Sequence, residues 1–231
     1  MPLLDHFRPP WDVRSWESFA MTWAVGIAND LNQHWLSDDA LAEVRCHPTS
    51  RVGFKGLISP LAPNSSIPVL PNFPGPPKVT LTTAFPDAFE VTVYQTEGGM
   101  KLVGVVSLVT PSMKASERQK RAFAAKCAGY LAQGIGLVVV DVVTTRQANL
   151  HAAILELLGQ TTTGLPTGTE LYAAAYRPIV RDAAELIEVW PEPLAVDRVL
   201  PTLPLTLSAE LCVPIDLEAT YTAVRERRRL T

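Results

Sequence analysis

The segment from Val105 to Val143 constrains the fold more than any other part of the chain. It begins with a short run of mostly β-branched apolar residues, passes through a polar and basic stretch, and ends in a second apolar run. Between the runs, side chains recur at the spacing of one buried helix face: Phe123, Cys127, Tyr130 and Leu131. A strand, a helix and a second strand connected in this way form a right-handed crossover. The sequence therefore predicts an α/β domain with this unit at its centre.

The same segment carries a motif that resembles the motif of a known protein family. The matching residues are Leu108, Val109, Thr110, Pro111, Lys114, Lys126, Tyr130, Gly134, Val140 and Asp141. In this order and spacing they resemble the Uma-two-like restriction endonucleases and their relatives of unknown function, in the PD-(D/E)XK nuclease superfamily. The similarity extends over most of the chain. The resemblance implies a fold of the α/β (α+β) class with a restriction-endonuclease-like core, a mixed central sheet flanked by helices.

The chain departs from the family pattern at the positions that matter for metal binding. A site of this kind needs an acid on one strand, then an acid and a cation on the next, to hold a divalent ion against the scissile phosphate. Ser107 stands where the family carries its metal-binding Glu, and Val109 follows in the cation position. Lys55 aligns with a second acidic position, where a cation would repel a divalent metal. These departures indicate a degenerate member.

Four residues remain candidates for catalysis. Asp87 follows a proline, and Glu90 lies on the strand that comes next. These two acids are also the candidate ligands of the metal ion, which is Mg²⁺ or Mn²⁺ if the chain is active. Ser107 is the third, and the resemblance implies a catalytic lysine on the helix, which is Lys126. On a helical wheel Lys126 borders the buried face beside Tyr130. It either reaches over the strand ends towards Ser107 or lays its stem along apolar surface with its ammonium in water.

A basic cluster precedes this lysine. It consists of Lys114, Arg118, Lys120 and Arg121. Cations at a helix N-terminus can contact phosphates, so these are the candidate nucleic-acid-binding residues, with DNA as the candidate partner. A solvated helix face is the alternative interpretation. Because the formal net charge of the chain is −3, any attraction to nucleic acid must be local.

Length and composition favour a single domain over residues 1–231. Residues 59–77 contain seven prolines and are expected to form a surface loop, because proline cannot donate to a sheet. No apolar run is long enough to span a membrane. Three cysteines without a C-x-x-C pair suit a reducing cytoplasm, and none of the four histidines has a partner at metal-ligand spacing.

The rest of the chain shows further periodic segments. A helix is expected from Ser15 to about Leu36, with a face rich in large side chains: Trp16, Phe19, Trp23, Ile27 and Leu31. This face either fills the core or forms a homodimer seam. Strands are expected within 42–58, 79–84, 89–94, 101–109, 171–180 and 186–190, and helices at 149–158 and after Asp216.

Two hypotheses about function follow. In one, the chain keeps a nuclease fold with a degenerate metal site, is inactive or weakly active, and serves as a binding or assembly module. In the alternative, it is a metal-dependent DNA endonuclease that uses Asp87 or Glu90 together with Lys126. Whether the chain is an enzyme stays open at this point. Motifs for serine hydrolases, phosphate-binding loops, dinucleotide sites and zinc proteases are absent from the sequence.

Overall fold

In the computed structural model of the chain, residues 2–47 and 88–230 are described. Four α-helices lie in this part: α1 (Trp16–Asp30), α2 (Glu117–Ala132), α3 (Leu150–Leu157) and α4 (Leu217–Arg227). Its strands are β1 (Ala40–His47), β2 (Ala88–Gln95), β3 (Lys101–Leu108), β4 (Gly136–Asp141), β5 (Tyr172–Arg181), β6 (Ala184–Pro193), β7 (Thr202–Thr206) and β8 (Cys212–Asp216). A π-helical turn (Leu31–Trp35) extends α1, and a 3₁₀ turn (Pro111–Lys114) precedes α2.

Strands β1 to β6 form one mixed sheet in sequence order. Strands β3 and β4 are parallel, and the other neighbouring strands are antiparallel. The predicted crossover is therefore confirmed as β3-α2-β4, and Gly134 ends the helix with a φ of 75°. The mixed α/β class and the flanking helices are also confirmed. Strands β7 and β8 form a separate hairpin.

The two faces of the sheet support two apolar clusters. Side chains alternate along a strand, so Val106 and Leu108 of β3 pack with α1, α4 and the β7–β8 hairpin. Val105 of the same strand and Val109, directly after it, pack with α2 and α3 on the opposite face. This alternation decides which polar residues of β2 and β3 point towards α2.

The aromatic face of the first helix fills the core. Ser15 caps α1 as predicted, by accepting a hydrogen bond from the Ser18 amide. The large side chains Trp16, Phe19 and Trp23 are all buried within the chain. Their apolar surface is therefore already covered, and a homodimer seam built from them is not available.

Some predictions from the sequence differ from the structure, and others concern residues outside the described part. The β7–β8 hairpin lies outside the strands expected from the sequence, and Pro204 and Pro214 lie opposite each other in it. Several predictions concern residues outside the described part: the proline-rich segment 59–77, the portion of the expected strand region 42–58 that follows residue 47, the strand expected at 79–84, Lys55 and Asp87. Among the described residues, none forms a helix with both the length and the apolar character needed to cross a bilayer.

Candidate functional site

Glu90 and Ser107 are direct neighbours across two strands. The antiparallel register of β2 and β3 pairs them, and both face α2. Side chains paired in this way have Cβ atoms about 4.5–5.5 Å apart. Glu90 is 3% exposed and Ser107 is fully buried. The predicted first acid and the position where the family carries its second acid are thus brought together inside the protein.

The helix α2 supplies the partners of the Glu90 carboxylate. The Lys126 ammonium lies 2.6 Å from Glu90 Oε1, and the Tyr130 hydroxyl donates to Glu90 Oε2 at 3.1 Å. Both carboxylate oxygens are therefore engaged by groups from one helix. The Lys126 side chain is 21% exposed, so its ammonium is held by Glu90 at the edge of the buried region and is not simply solvated. Of the two interpretations of Lys126, the geometry agrees with the one that points it at the strands.

The spacing of the helix explains this convergence. Residues four apart on a helix lie on one face, so Lys126 and Tyr130 project to the same side of α2. The neighbouring residues Phe123, Cys127 and Leu131 are buried and fix the rotation of the helix against the sheet. The Lys126 ammonium also lies 5.4 Å from the centroid of the Phe123 ring. The ammonium is therefore held between a carboxylate and an aromatic ring, and a phenol bonds the other oxygen of that carboxylate.

The pKa values of Tyr130 and Cys127 decide the protonation states of these two side chains at neutral pH. Burial, reinforced by the charge of Glu90 and by the hydrogen bond to it, raises the pKa of Tyr130, so its phenol remains a donor. Burial raises the pKa of Cys127 to about 12, which keeps this side chain a thiol. The cluster therefore contains neither an activated phenolate nor an activated thiolate nucleophile.

These residues do not fit a divalent metal ion. The resemblance implies Mg²⁺ or Mn²⁺, which require several oxygen ligands and enough negative charge to offset dehydration. The described residues supply one carboxylate, whose two oxygens are already bonded, and the neutral Ser107. Within 2–47 and 88–230, no group of three or more His, Cys, Asp or Glu side chains is arranged to hold a metal ion. Asp87, the other proposed ligand, lies outside the described residues.

The Ser107 hydroxyl is a buried polar atom with an unmet hydrogen-bonding need. Its Oγ has no hydrogen-bond partner in the structure. A buried hydroxyl in this condition costs free energy. A carboxylate at this position would stand directly opposite Glu90, as the metal site of the resembled family requires.

Lys114 does not belong to an exposed basic patch. Its side chain is fully buried, and its ammonium lies 3.0 Å from Asp141 Oδ2 and 3.3 Å from the Val143 carbonyl oxygen. It therefore neutralises a buried acid at the end of β4 and cannot contact a phosphate on the surface. Burial raises the pKa of Asp141 to about 6, against the attraction of Lys114.

The other three predicted nucleic-acid-binding residues remain at or near the surface. Arg118 and Arg121 are exposed in the first turns of α2, and Lys120 is half-buried. Lys120 forms an ion pair with Glu117 one turn earlier. The helix therefore carries two exposed arginine residues before Lys126, and Lys114 no longer belongs to the basic cluster.

Sequence reasoning did not assign a site role to Tyr130, Asp141 or Arg45. The first two lay in the motif, and the four-residue spacing of Lys126 and Tyr130 was a usable signal. Arg45 is exposed on β1 directly opposite Glu90, with its guanidinium 5.3 Å from the centroid of the Tyr94 ring. Only the strand register reveals this neighbour, because β1 and β2 are far apart in the sequence.

The fold and the site define an α/β protein that buries a carboxylate–ammonium–phenol cluster between a mixed sheet and a helix. Comparison with protein-family models, with curated proteins and with solved structures yields no match to this chain.

Proposed function

We propose that the chain is a restriction-endonuclease-like scaffold that has lost phosphodiester hydrolysis and acts as a binding or assembly module. The order of a helix, three antiparallel strands, a helix and a parallel strand, with helices on both faces of the sheet, supports such a core. The observation that carries the proposal is the pairing of Glu90 with Ser107. One carboxylate and one hydroxyl stand where the chemistry needs two acids.

The remaining parts of the site agree with a binding role. Arg118 and Arg121 are exposed on α2 and suit a polyanionic partner such as DNA. A homodimer stays a second form of assembly, through surfaces other than the buried aromatic face of α1. Both roles are compatible with a cytoplasmic protein.

Plasmid cleavage tests the loss of hydrolysis. We expect supercoiled DNA to stay intact with the wild type in the presence of Mg²⁺ or Mn²⁺. The variant Ser107→Glu adds the missing carboxylate, and Ser107→Gln adds a side chain of the same size without charge. If the scaffold is that of a nuclease, Ser107→Glu gains metal-dependent nicking and Ser107→Gln does not. Circular dichroism and thermal unfolding of both variants establish that they are folded.

Fluorescence anisotropy with labelled DNA and light scattering of the free protein test the binding or assembly role. Arg118→Ala combined with Arg121→Ala should weaken DNA binding and reduce its dependence on salt. The exposed Arg181, at the β5–β6 turn, provides a control substitution. A protein that neither binds DNA nor self-associates would contradict both forms of the proposed role.

A metal-dependent DNA endonuclease is the second candidate. The convergence of Glu90 and Lys126 favours it, because an acid and a lysine at one point are two of the parts such an enzyme needs. This candidate requires Asp87 as a further ligand. Wild-type nicking that needs Mn²⁺ and disappears in both Glu90→Gln and Asp87→Asn would establish it and would refute the loss of hydrolysis.

A further inference from the structure

We infer that the Lys126 ammonium is the resident cation of the Glu90 site, and that this site accepts a primary ammonium group in preference to a divalent metal ion. The inference deepens the proposed function, since it names the cation that the site takes in place of a metal.

The ligands around the Lys126 ammonium are those of an ammonium site. One wall is the Glu90 carboxylate, at 2.6 Å from Nζ. The second is the Phe123 ring, whose centroid lies 5.4 Å from Nζ. An aromatic face attracts an organic cation through its quadrupole but supplies no oxygen ligand to a metal ion. Tyr130 completes the site by donating its hydroxyl to the other carboxylate oxygen.

The charges around Glu90 also disfavour a divalent cation. Glu90 is 3% exposed, and its partners on the two neighbouring strands are the neutral Ser107 and the cationic Arg45. The Lys126 ammonium balances the charge of Glu90 at contact distance, and Arg45 adds a further positive charge nearby. A divalent ion would leave a net positive charge in a poorly solvated place, and it would also have to lie close to the Lys126 ammonium. Two such cations about 4 Å apart repel strongly even at an effective dielectric constant of 20.

The presence of the Lys126 ammonium explains why a neutral residue stands at position 107. With Lys126 in place, a second carboxylate beside Glu90 would be an excess buried charge, which is costly to desolvate. The serine is therefore suited to a site whose cation is carried by the chain itself. Because Lys126 is attached to a helix fixed by buried neighbours, the cation is present whenever the protein is folded.

Chemical rescue of Lys126→Ala tests this inference. The substitution removes Cγ, Cδ, Cε and Nζ, which together correspond to propylammonium. We expect the variant to unfold at a lower temperature than the wild type. Propylammonium at about ten times its Kd should then raise the unfolding temperature by about 3–6 °C. Propanol, which has the same length and no charge, should not do so, and neither should Mn²⁺ or Mg²⁺ at matched ionic strength.

Two further proteins serve as controls. Lys120→Ala removes a lysine of similar exposure from the same helix, 23% against 21%, whose partner Glu117 is itself exposed. Propylammonium should leave its unfolding temperature unchanged beyond the effect of salt. The double variant Lys126→Ala/Glu90→Gln lacks the carboxylate and should also be insensitive. Stabilisation of Lys126→Ala by Mn²⁺ that exceeds stabilisation by propylammonium would overturn the inference, as would the absence of any rescue.

The wild-type protein provides a test that does not depend on the folding of a variant. Mn²⁺ broadens the NMR signals of nearby nuclei because it is paramagnetic. We expect Mn²⁺ to leave the amide signals of Glu90, Ser107 and Tyr130 sharp, and selective broadening of these signals would refute the inference. Failure here is distinct from failure of the proposed function, because cleavage of DNA is measured separately.

Discussion

At the scale of single residues, each of the two buried acids that the described residues place on the α2 side of the sheet has its own lysine. Glu90 on β2 pairs with Lys126, and Asp141 at the end of β4 pairs with Lys114. Leaving a carboxylate buried without a cation or hydrogen bonds is costly, so local neutralisation is what allows two acids to lie against the same helix layer. The two pairs differ in exposure. Lys126 retains some contact with solvent, whereas both side chains of the Lys114–Asp141 pair are fully buried.

This difference predicts a strong effect of breaking the fully buried pair. Lys114→Met should lower the free energy of unfolding by about 3–5 kcal/mol, because it leaves Asp141 without its cation. Lys114→Met/Asp141→Leu should lose much less than the sum of the two single losses, because neither charge remains. Urea unfolding measures these values, with Lys101→Met at an exposed position as the control. Additive losses in the double variant would contradict a direct interaction between the pair.

At the scale of secondary-structure elements, the crossover β3-α2-β4 contains two glycines, Gly136 and Gly129, whose surroundings differ. A Cβ atom added at Gly136, the first residue of β4, would overlap the carbonyl oxygen of Thr206 on β7. The close approach of the β7–β8 hairpin to the sheet therefore requires glycine here. Gly129 lies inside α2, and a Cβ added there would meet no atom within 4 Å.

Alanine substitutions at these two glycines should have opposite effects. Gly136→Ala should destabilise the protein by about 1–3 kcal/mol, because the hairpin must move away from β4. Gly129→Ala should stabilise it by about 0.5–1 kcal/mol, since alanine has the higher helix propensity and the site is open. Chemical denaturation of both variants checks the signs. A neutral Gly136→Ala would show that the hairpin does not pack closely on β4.

The sequence predicted those elements whose signals are local. The spacing of Phe123, Cys127 and Leu131 fixed the buried face of α2, and Ser15, Asn149 and Asp216 are helix caps as expected. The β7–β8 hairpin was missed because Pro204 and Pro214 argued against strands. The pairing of Lys114 with Asp141 was not predictable, and Glu90 was joined with Lys126 only in the endonuclease hypothesis, because both pairings depend on strand register and on the rotation of a helix against the sheet. Burial of Lys114, in particular, follows from the position of Asp141 and not from its own neighbours in sequence.

At the scale of the whole molecule, the first residues of the described chain are bonded to residues that follow β6, including residues of α4. The Leu3 amide donates to the Arg198 carbonyl oxygen, and the Leu4 amide donates to the Tyr221 hydroxyl. Arg225 is buried and donates to the Pro2 carbonyl oxygen. The first turn of the chain and α4 are thereby joined next to α1. Arg225, the first arginine of the basic segment 225–229, is therefore part of this closure.

His6 lies at the centre of this closure and makes it sensitive to acid. Its Nε2 atom is 2.6 Å from the Tyr221 hydroxyl, and its ring packs against Trp16 and Phe19. Burial, reinforced by the charge of Arg225, lowers the pKa of His6 from 6.5 to about 4. Between these pH values the unfolded chain binds more protons at this residue than the folded protein does. The contribution of His6 to stability is therefore complete above about pH 6.5 and is lost as the pH falls towards 4.

The variant His6→Gln should remove this dependence on pH. Each pKa unit corresponds to about 1.4 kcal/mol, so the loss from His6 on acidification should reach about 3 kcal/mol in the wild type. Asp141, whose pKa is raised by burial, contributes a slope of the opposite sign below about pH 6. The measurement is therefore the difference in the free energy of unfolding between wild type and His6→Gln, from urea titrations across this range. That difference should shrink or reverse as the pH falls, because only the wild type must keep an imidazole uncharged. A constant difference across the range would mean that His6 is no more difficult to protonate in the folded protein than in the unfolded chain.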